Sequence, residues 1–349
     1  MVGWQLLFAL SFLGAVGAVG AALAISRRLR FLDRPGSEAH KQQARAVPYG
    51  GGIAMVATLA AALAAVWLSL DEAVLAHGVA VRGDVLRAIA GGALAMFLLG
   101  LVDDVRPLRA GLKFLLQGVV CAAVVGVGDV TIDSLRATPW LAYGLAWAWL
   151  ILITNAYNLL DHADGLSATV ALISACVLLS GSLLSEDHAL AMLWLALIAT
   201  LGGFLVWNLP PARVYMGDAG AQPLGFLIGM GTLSVTFWPS SEGGSPLAVL
   251  SPLLITAIPL FDTAVVVVKR LRRGKPVMLG DRNHISHRLG RLGMSSRASL
   301  ATVAALQTAL AAGALQLRQQ ELLPGLVVLA QSAGILLAVI LLETSRDDG

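Results

Sequence analysis

Charge is scarce in this chain. Of its 349 residues only 13% are Asp, Glu, Lys or Arg, while 57% are hydrophobic and the mean hydropathy is +0.79. Soluble globular domains carry about 25% charged residues, so that class is excluded. Cysteine is nearly absent as well: Cys121 and Cys176 both sit inside apolar runs, where they read as small packing residues rather than a disulfide or a metal pair. There is no internal repeat, no low-complexity linker and no insertion the size of a soluble domain, so one membrane domain over residues 1–349 is expected. No basic segment precedes the first apolar run; its positive charges follow it, which favours a retained signal-anchor helix over a cleaved leader.

What is present is a series of eleven apolar runs, near residues 4–25, 51–70, 86–102, 112–128, 139–154, 166–184, 189–207, 222–238, 247–268, 299–317 and 323–342. Runs of about 20 residues cross a bilayer as helices, and none of these alternates as a barrel strand would. The expectation is an all-α polytopic membrane protein with about eleven transmembrane helices, the one over 247–268 broken near Pro259. The runs 112–128 and 139–154 are short and joined by a brief linker, and the alternation of sides depends on both.

Polar clusters at 33–52, 103–113, 155–165, 208–220 and 269–287 fall on alternate gaps between runs, which puts them on one membrane face. Gaps such as 71–84 and 238–246 read as ordinary connections. Of the 24 Lys and Arg residues, all but Arg82, Arg87, Arg136 and Arg318 belong to the cluster side. That bias makes the cluster face cytoplasmic, with the N-terminus outside and the C-terminus inside.

Each cluster has a chemical and a plain reading. Asp103 and Asp104 end a span, where adjacent carboxylates call for a cation such as Lys113 or a divalent metal, or merely cap a helix at the water interface. Asn155, Asn158, Asp161 and Asp164 recur at a spacing of three, which on a helix forms one drifting face of oxygen groups suited to a hard cation or to the edge of a base. Asp218 stands between Gly217 and Gly220, in a segment that suits either an anionic ligand or a simple turn. Arg282, His284, His287 and Arg288 can hold phosphate oxygens, and the neighbouring bases can equally anchor a loop to anionic lipid. Asp262 lies inside a span, where an ionisable group points to function. His40, Lys41 and Gly50 to Gly52 either admit a phosphate or nucleotide or let helices pack closely.

Taken in order, these strings resemble the polyprenyl-phosphate N-acetylhexosamine-1-phosphate transferases over residues 33–293. The carriers are His40-Lys41 with Pro48 to Gly52, Gly100-Leu-Val-Asp-Asp with Leu108 and Lys113, Asn155-Ala-Tyr-Asn158-Leu-Leu-Asp161-His-Ala-Asp164-Gly, Asn208 to Gly225, Pro259-Leu-Phe-Asp262 and Gly274 to Leu289. The resemblance implies a multi-pass protein of the inner (cytoplasmic) membrane that transfers a sugar 1-phosphate from a UDP-amino sugar to undecaprenyl or decaprenyl phosphate. UMP is released, Mg2+ (or Mn2+) is the cofactor, nucleic acid has no part, and a homodimer is allowed. It implies catalytic roles for Asp103, Asp104, Asp161 and His284, and metal ligation by Asn158 and Asp218. Substrate binding would fall to Lys41, Lys113, Asn155, Asp164, Asp262, Arg282, His287 and Arg288. His162, Ala221 and Ser286 depart from the family pattern at positions bearing on sugar preference and diphosphate affinity. The form of the His-x-x-His segment is closer to the N-acetylglucosamine branch than to the phospho-MurNAc-pentapeptide branch. An ion-coupled transporter or lipid flippase built on Asp262 is the alternative from another class.

Overall fold

The computed structural model describes residues 3–29, 32–33, 46–69, 72–132, 135–235, 246–274, 284–319 and 321–344. It divides into two compact units, Met1–Val235 and Thr236–Gly349; the single domain expected over 1–349 would be the two together. The elements are helical apart from a two-residue ribbon in which β1 (Leu32–Asp33) pairs antiparallel with β2 (Val47–Pro48).

The first unit holds α1 (Trp4–Leu29), α2 (Gly51–Ser69), α3 (Glu72–Val105), α4 (Ala110–Val127), α5 (Pro139–Leu160), α6 (Leu166–Leu184), α7 (His188–Asn208) and α8 (Asp218–Ser234). The centre is α8, whose side chains from Ala219 to Thr232 are all buried, with α3 and α5 as its main neighbours. Close approach explains the glycines that face α8. A Cβ on Gly52 would lie 2.6 Å from the Cα of Gly220, and one on Gly100 would lie 2.1 Å from the carbonyl oxygen of Asp218. Gly51 and Gly52 hold α2 close to the segment that leads into α8: their N–H groups donate to the carbonyls of Tyr215 and Met216 at 3.1 and 3.0 Å.

The second unit begins with a 3-10 turn (Pro246–Leu250), then α9 (Ser251–Ile255), α10 (Ala257–Arg272), α11 (Ile285–Arg291), α12 (Ser296–Gln319) and α13 (Leu322–Thr344). Pro246–Ile255 and Ala257–Arg272 meet at a 69° bend. The break expected near Pro259 therefore lies at Thr256. The ring of a proline clashes with the carbonyl four residues earlier, here that of Ile255, while Pro259 itself sits in the first turn of α10, where its missing N–H costs nothing. Backbone groups freed inside a membrane protein need partners, and Gln307 of α12, fully buried, supplies both. Its Nε2 donates to the Ile255 carbonyl at 2.6 Å, and its Oε1 accepts from the Ile258 N–H at 3.2 Å.

Eight of the described helices are long and apolar enough to cross a membrane, and nine if the bent pair counts as one span. The remaining two expected runs are α5, which carries Asn155 and Asn158 in its last turns, and α8, which at 17 residues is short. The chain is an all-α polytopic membrane protein. Boundaries moved where local chemistry overrode hydropathy. The connection expected over 71–84 is helical from Glu72, in a stretch rich in Ala, Leu and Val without proline. Helix α8 starts at Asp218 rather than 222 because a side chain from α3 caps it, as the site geometry shows.

Replacing Gln307 by Leu removes its hydrogen bonds to the Ile255 carbonyl and the Ile258 N–H. We expect a loss on the order of 2–4 kcal/mol, read as a lower melting temperature of the purified protein in detergent. An unchanged melting temperature would mean that the break does not depend on Gln307.

Candidate functional site

Four helix ends of the first unit meet around one ammonium. Asp103 and Asp104 close α3, Lys113 opens α4, Asn158 lies in the last turn of α5 and Asp218 opens α8. Lys113 Nζ is 2.7 Å from Asp103 Oδ2 and also pairs with Asp218. With its amide oriented to suit both neighbours, Asn158 donates to Asp218 Oδ1 at 2.9 Å and accepts from Lys113 Nζ at 3.1 Å. The Leu108 N–H donates to Asp103 Oδ1 at 2.7 Å and holds the short α3–α4 turn against that carboxylate.

Asp104 has a different partner set. Its Oδ1 accepts from the Asp218 N–H at 2.8 Å and its Oδ2 from the Ala219 N–H at 3.0 Å, so this carboxylate caps α8 across the fold. Gly217 is the residue that permits this. Its φ is +68°, and a Cβ there would lie 2.6 Å from Asp104 Oδ2. Asp103 thus pairs with the cation, while Asp104 caps the start of α8 rather than the end of its own helix at the water interface.

The spacing-of-three series is only partly on a helix. α5 carries Asn155 and Asn158 and ends at Leu160; Asp161 is its C-cap, and a turn with Gly165 at φ +71° carries Asp164 outside it. Asp164 Oδ2 accepts from the Ala212 N–H at 2.9 Å, and Asn208 bridges the same two loops, accepting from Gly165 N–H at 3.0 Å and donating to the Val214 carbonyl at 2.8 Å. Burial, then the carboxylates of Asp218, Asp104 and Asp164, push the Asp161 carboxyl well above the usual carboxylate range. A charge imbalance adds to the burial: one ammonium offsets a single charge among the half-buried Asp103, Asp104, Asp161 and Asp218. Such a set of carboxylate and carboxamide oxygens could hold a further hard cation; Asp218 and Asn158, engaged with each other and with Lys113, are the ligands it would take, with Asp103 beside them.

The second unit contains its own polar cluster. Asp262 of α10 is 1% exposed and organises the start of α11. Its Oδ2 is 2.7 Å from His284 Nδ1, its Oδ1 accepts from the Ile285 N–H at 2.6 Å, and Arg288 Nη1 lies 3.3 Å from Oδ1. The Arg288 guanidinium also stands 5.7 Å from the ring centre of Phe261. His284 and Arg288, four residues apart, share the Asp262 side, and both are buried, whereas His287 is exposed. The intramembrane carboxylate is thus the partner of the histidine–arginine segment. Lys41 and Arg282 lie outside the described residues.

The description glycosyl transferase family 4 matches residues 86–236, which span the Asp103–Asp218 cluster. A protein of Bacillus subtilis named as a probable undecaprenyl-phosphate N-acetylglucosaminyl 1-phosphate transferase is 30% identical over 292 residues, covering 80% of this chain and 75% of that protein. This chain belongs to glycosyl transferase family 4. A decaprenyl-phosphate N-acetylglucosaminephosphotransferase of Mycolicibacterium smegmatis is 29% identical over 72% of this chain and 66% of that protein. An undecaprenyl-phosphate alpha-N-acetylglucosaminyl 1-phosphate transferase of Thermotoga maritima is 27% identical over 75% of this chain and 74% of that one. As a family 4 member the protein is a membrane transferase, and the transporter alternative loses its ground, since Asp262 is engaged by α11.

Two further residues beside this site escaped sequence reading, both fully buried: Gln117, which accepts from Asn155, and Gln222, which accepts from Gln117. Their signal was available as a glutamine inside an apolar run, one turn from Lys113 and from Asp218 respectively.

Because Asp104 caps α8, Asp104→Ala is expected to cost about 1–2 kcal/mol, with Asp104→Asn retaining part of it through its remaining carbonyl acceptor. Thermal unfolding of the two variants in detergent checks this; equal melting temperatures for Asp104→Ala and the wild type would remove the capping role.

Proposed function

We propose that the protein transfers N-acetylglucosamine 1-phosphate, or the 1-phosphate of a related N-acetylated amino sugar, from its UDP-sugar to undecaprenyl or decaprenyl phosphate. The reading places the reaction at the cytoplasmic face of the inner membrane, at the first step of a lipid-linked envelope glycan. An oxygen of the lipid phosphate attacks the sugar-bearing phosphorus, the bridging P–O bond breaks, and UMP leaves with the electron pair. The observation that carries this is the convergence of Asp103, Lys113, Asn158 and Asp218 from four helix ends.

Two phosphate groups that must approach each other need their charge offset. Magnesium, held by Asp218 and Asn158, would supply a Lewis acid toward the diphosphate. Lys113 is fixed by Asp103, so its ammonium is held ready for phosphate oxygens rather than left on a mobile stem. Asp103 or Asp104 would orient or deprotonate the acceptor phosphate; the oxygens of Asp104 accept backbone hydrogen bonds from α8, and those of Asp103 accept from the Leu108 N–H and from Lys113. Asp164 is held at a loop backbone by Ala212, a placement compatible with facing the uracil. In the second unit, Asp262 fixes the His284 ring through Nδ1 and holds Arg288 beside it, an imidazole and a guanidinium of the kind that suits phosphate oxygens, with His287 on the same segment. The relatives named for N-acetylglucosamine 1-phosphate transfer support this choice of sugar over the muramoyl-pentapeptide alternative.

Asp218→Asn is expected to reduce divalent-dependent UMP release by at least about 100-fold while the protein still inserts into membranes. The assay uses purified protein, a panel of UDP-sugars, polyprenyl phosphate and Mg2+. Full activity in this variant would remove Asp218 from the metal site. Activity with UDP-N-acetylglucosamine should exceed that with UDP-muramoyl-pentapeptide, and the reverse order would overturn the choice of branch.

A further inference from the structure

Behind the charged layer of the site, three of its four helices carry an uncharged one. Gln117 lies one turn beyond Lys113 on α4, Gln222 one turn beyond Asp218 on α8, and Asn155 one turn before Asn158 on α5. Each amide sits on the side of its site residue that runs into the apolar body of the helix. The amides form a continuous line: Asn155 Nδ2 donates to Gln117 Oε1 at 2.8 Å, Gln117 Nε2 to Gln222 Oε1 at 3.2 Å, and Gln222 Nε2 reaches Asp218 Oδ2 at 3.5 Å. Asn155 Nδ2 also donates to the Ile151 carbonyl at 2.8 Å, which ties that end to α5 itself.

Amides in a hydrocarbon-like interior are costly unless bonded, and apolar side chains of the same size would pack α4, α5 and α8 together without that risk. What a bonded line adds is register. A slide of α4 by a single residue, about 1.5 Å, or the rotation that goes with it, breaks the line at two points, and the same slide of α5 or α8 breaks it at one. Gln117 and Gln222 are completely buried, so contact with a substrate is closed to them. We infer that Gln117 and Gln222 are positioning residues that hold α4 and α8 in the register at which Lys113, Asn158 and Asp218 meet. The inference rests on the proposed reaction, and it assigns the pair to alignment of the divalent-ion and phosphate groups rather than to general stability.

The test uses the full-length protein in nanodiscs as wild type, Gln117→Met, Gln222→Met and the double variant. Mn2+ affinity is read by paramagnetic resonance of the free ion, alongside kcat and KM for UMP release and the melting temperature. Each single change should lower both Mn2+ affinity and kcat about tenfold, leaving KM for the UDP-sugar unchanged. The double variant should be no worse than the poorer single, since one cut already parts the line. Unchanged Mn2+ affinity and kcat with a lowered melting temperature would reduce the pair to helix adhesive and overturn the inference, as would effects that multiply in the double variant. Gln117→Met touches neither Lys113 nor Asp218, so it decides the matter if Gln222→Met fails to fold. A wild type that binds no Mn2+ and releases no UMP overturns the proposed function with it; an active wild type matched by Gln117→Met overturns the line of amides alone.

Discussion

The first unit turns on the pairing of Lys113 with Asp103, Asp218 and Asn158. Carboxylates at the ends of apolar helices repel one another and lose hydration, so they stay together only around a positive charge. That requirement acts on the backbone as well. Lys113 draws the start of α4 to the end of α3 and the start of α8, while Asp104 fastens the first N–H groups of α8 directly. The glycines at 52, 100, 217 and 220 read as consequences, because helices drawn this close leave no room for a Cβ between them.

The same arrangement suits phosphoryl chemistry, where the protein has little covalent work to do and much charge to place. A site assembled from helix ends is rigid along each helix axis, so its precision depends on how the helices are set in depth and rotation. Short connections contribute, as at the α3–α4 turn held by Leu108 and Asp103 and the loops tied by Asn208. Side-chain amides within the apolar body add a second constraint, seen again in the other unit where Gln307 closes the broken helix.

Much of this could be read from the chain itself. Apolar runs and their polar gaps located the helices, including the short α4 and α5 on which the alternation depends, and the clusters at their ends contained Asp103, Lys113, Asn158 and Asp218. Periodicity could not locate the ends where a distant group intervenes. α8 begins at Asp218 because of a carboxylate 114 positions earlier, and α9 ends at Ile255 because of a proline that itself belongs to the next helix. Nor does spacing reveal the division of labour within Asp103-Asp104, which comes from what each oxygen accepts. Gln117 and Gln222 went unseen for a simpler reason: attention to the gaps passes over polar residues within the runs.

The proposed function requires that the ends of α3, α5 and α7 open on one membrane face, the cytoplasmic one, with the cluster between them. Single cysteines placed by Arg106→Cys, Ala163→Cys, Arg213→Cys and Glu186→Cys, in a background without Cys121 and Cys176, test it with a membrane-impermeant thiol reagent on vesicles of known orientation. The account predicts that positions 106, 163 and 213 react from the cytoplasmic side alone and position 186 from the other. Labelling of 106, 163 and 213 from opposite sides would contradict it.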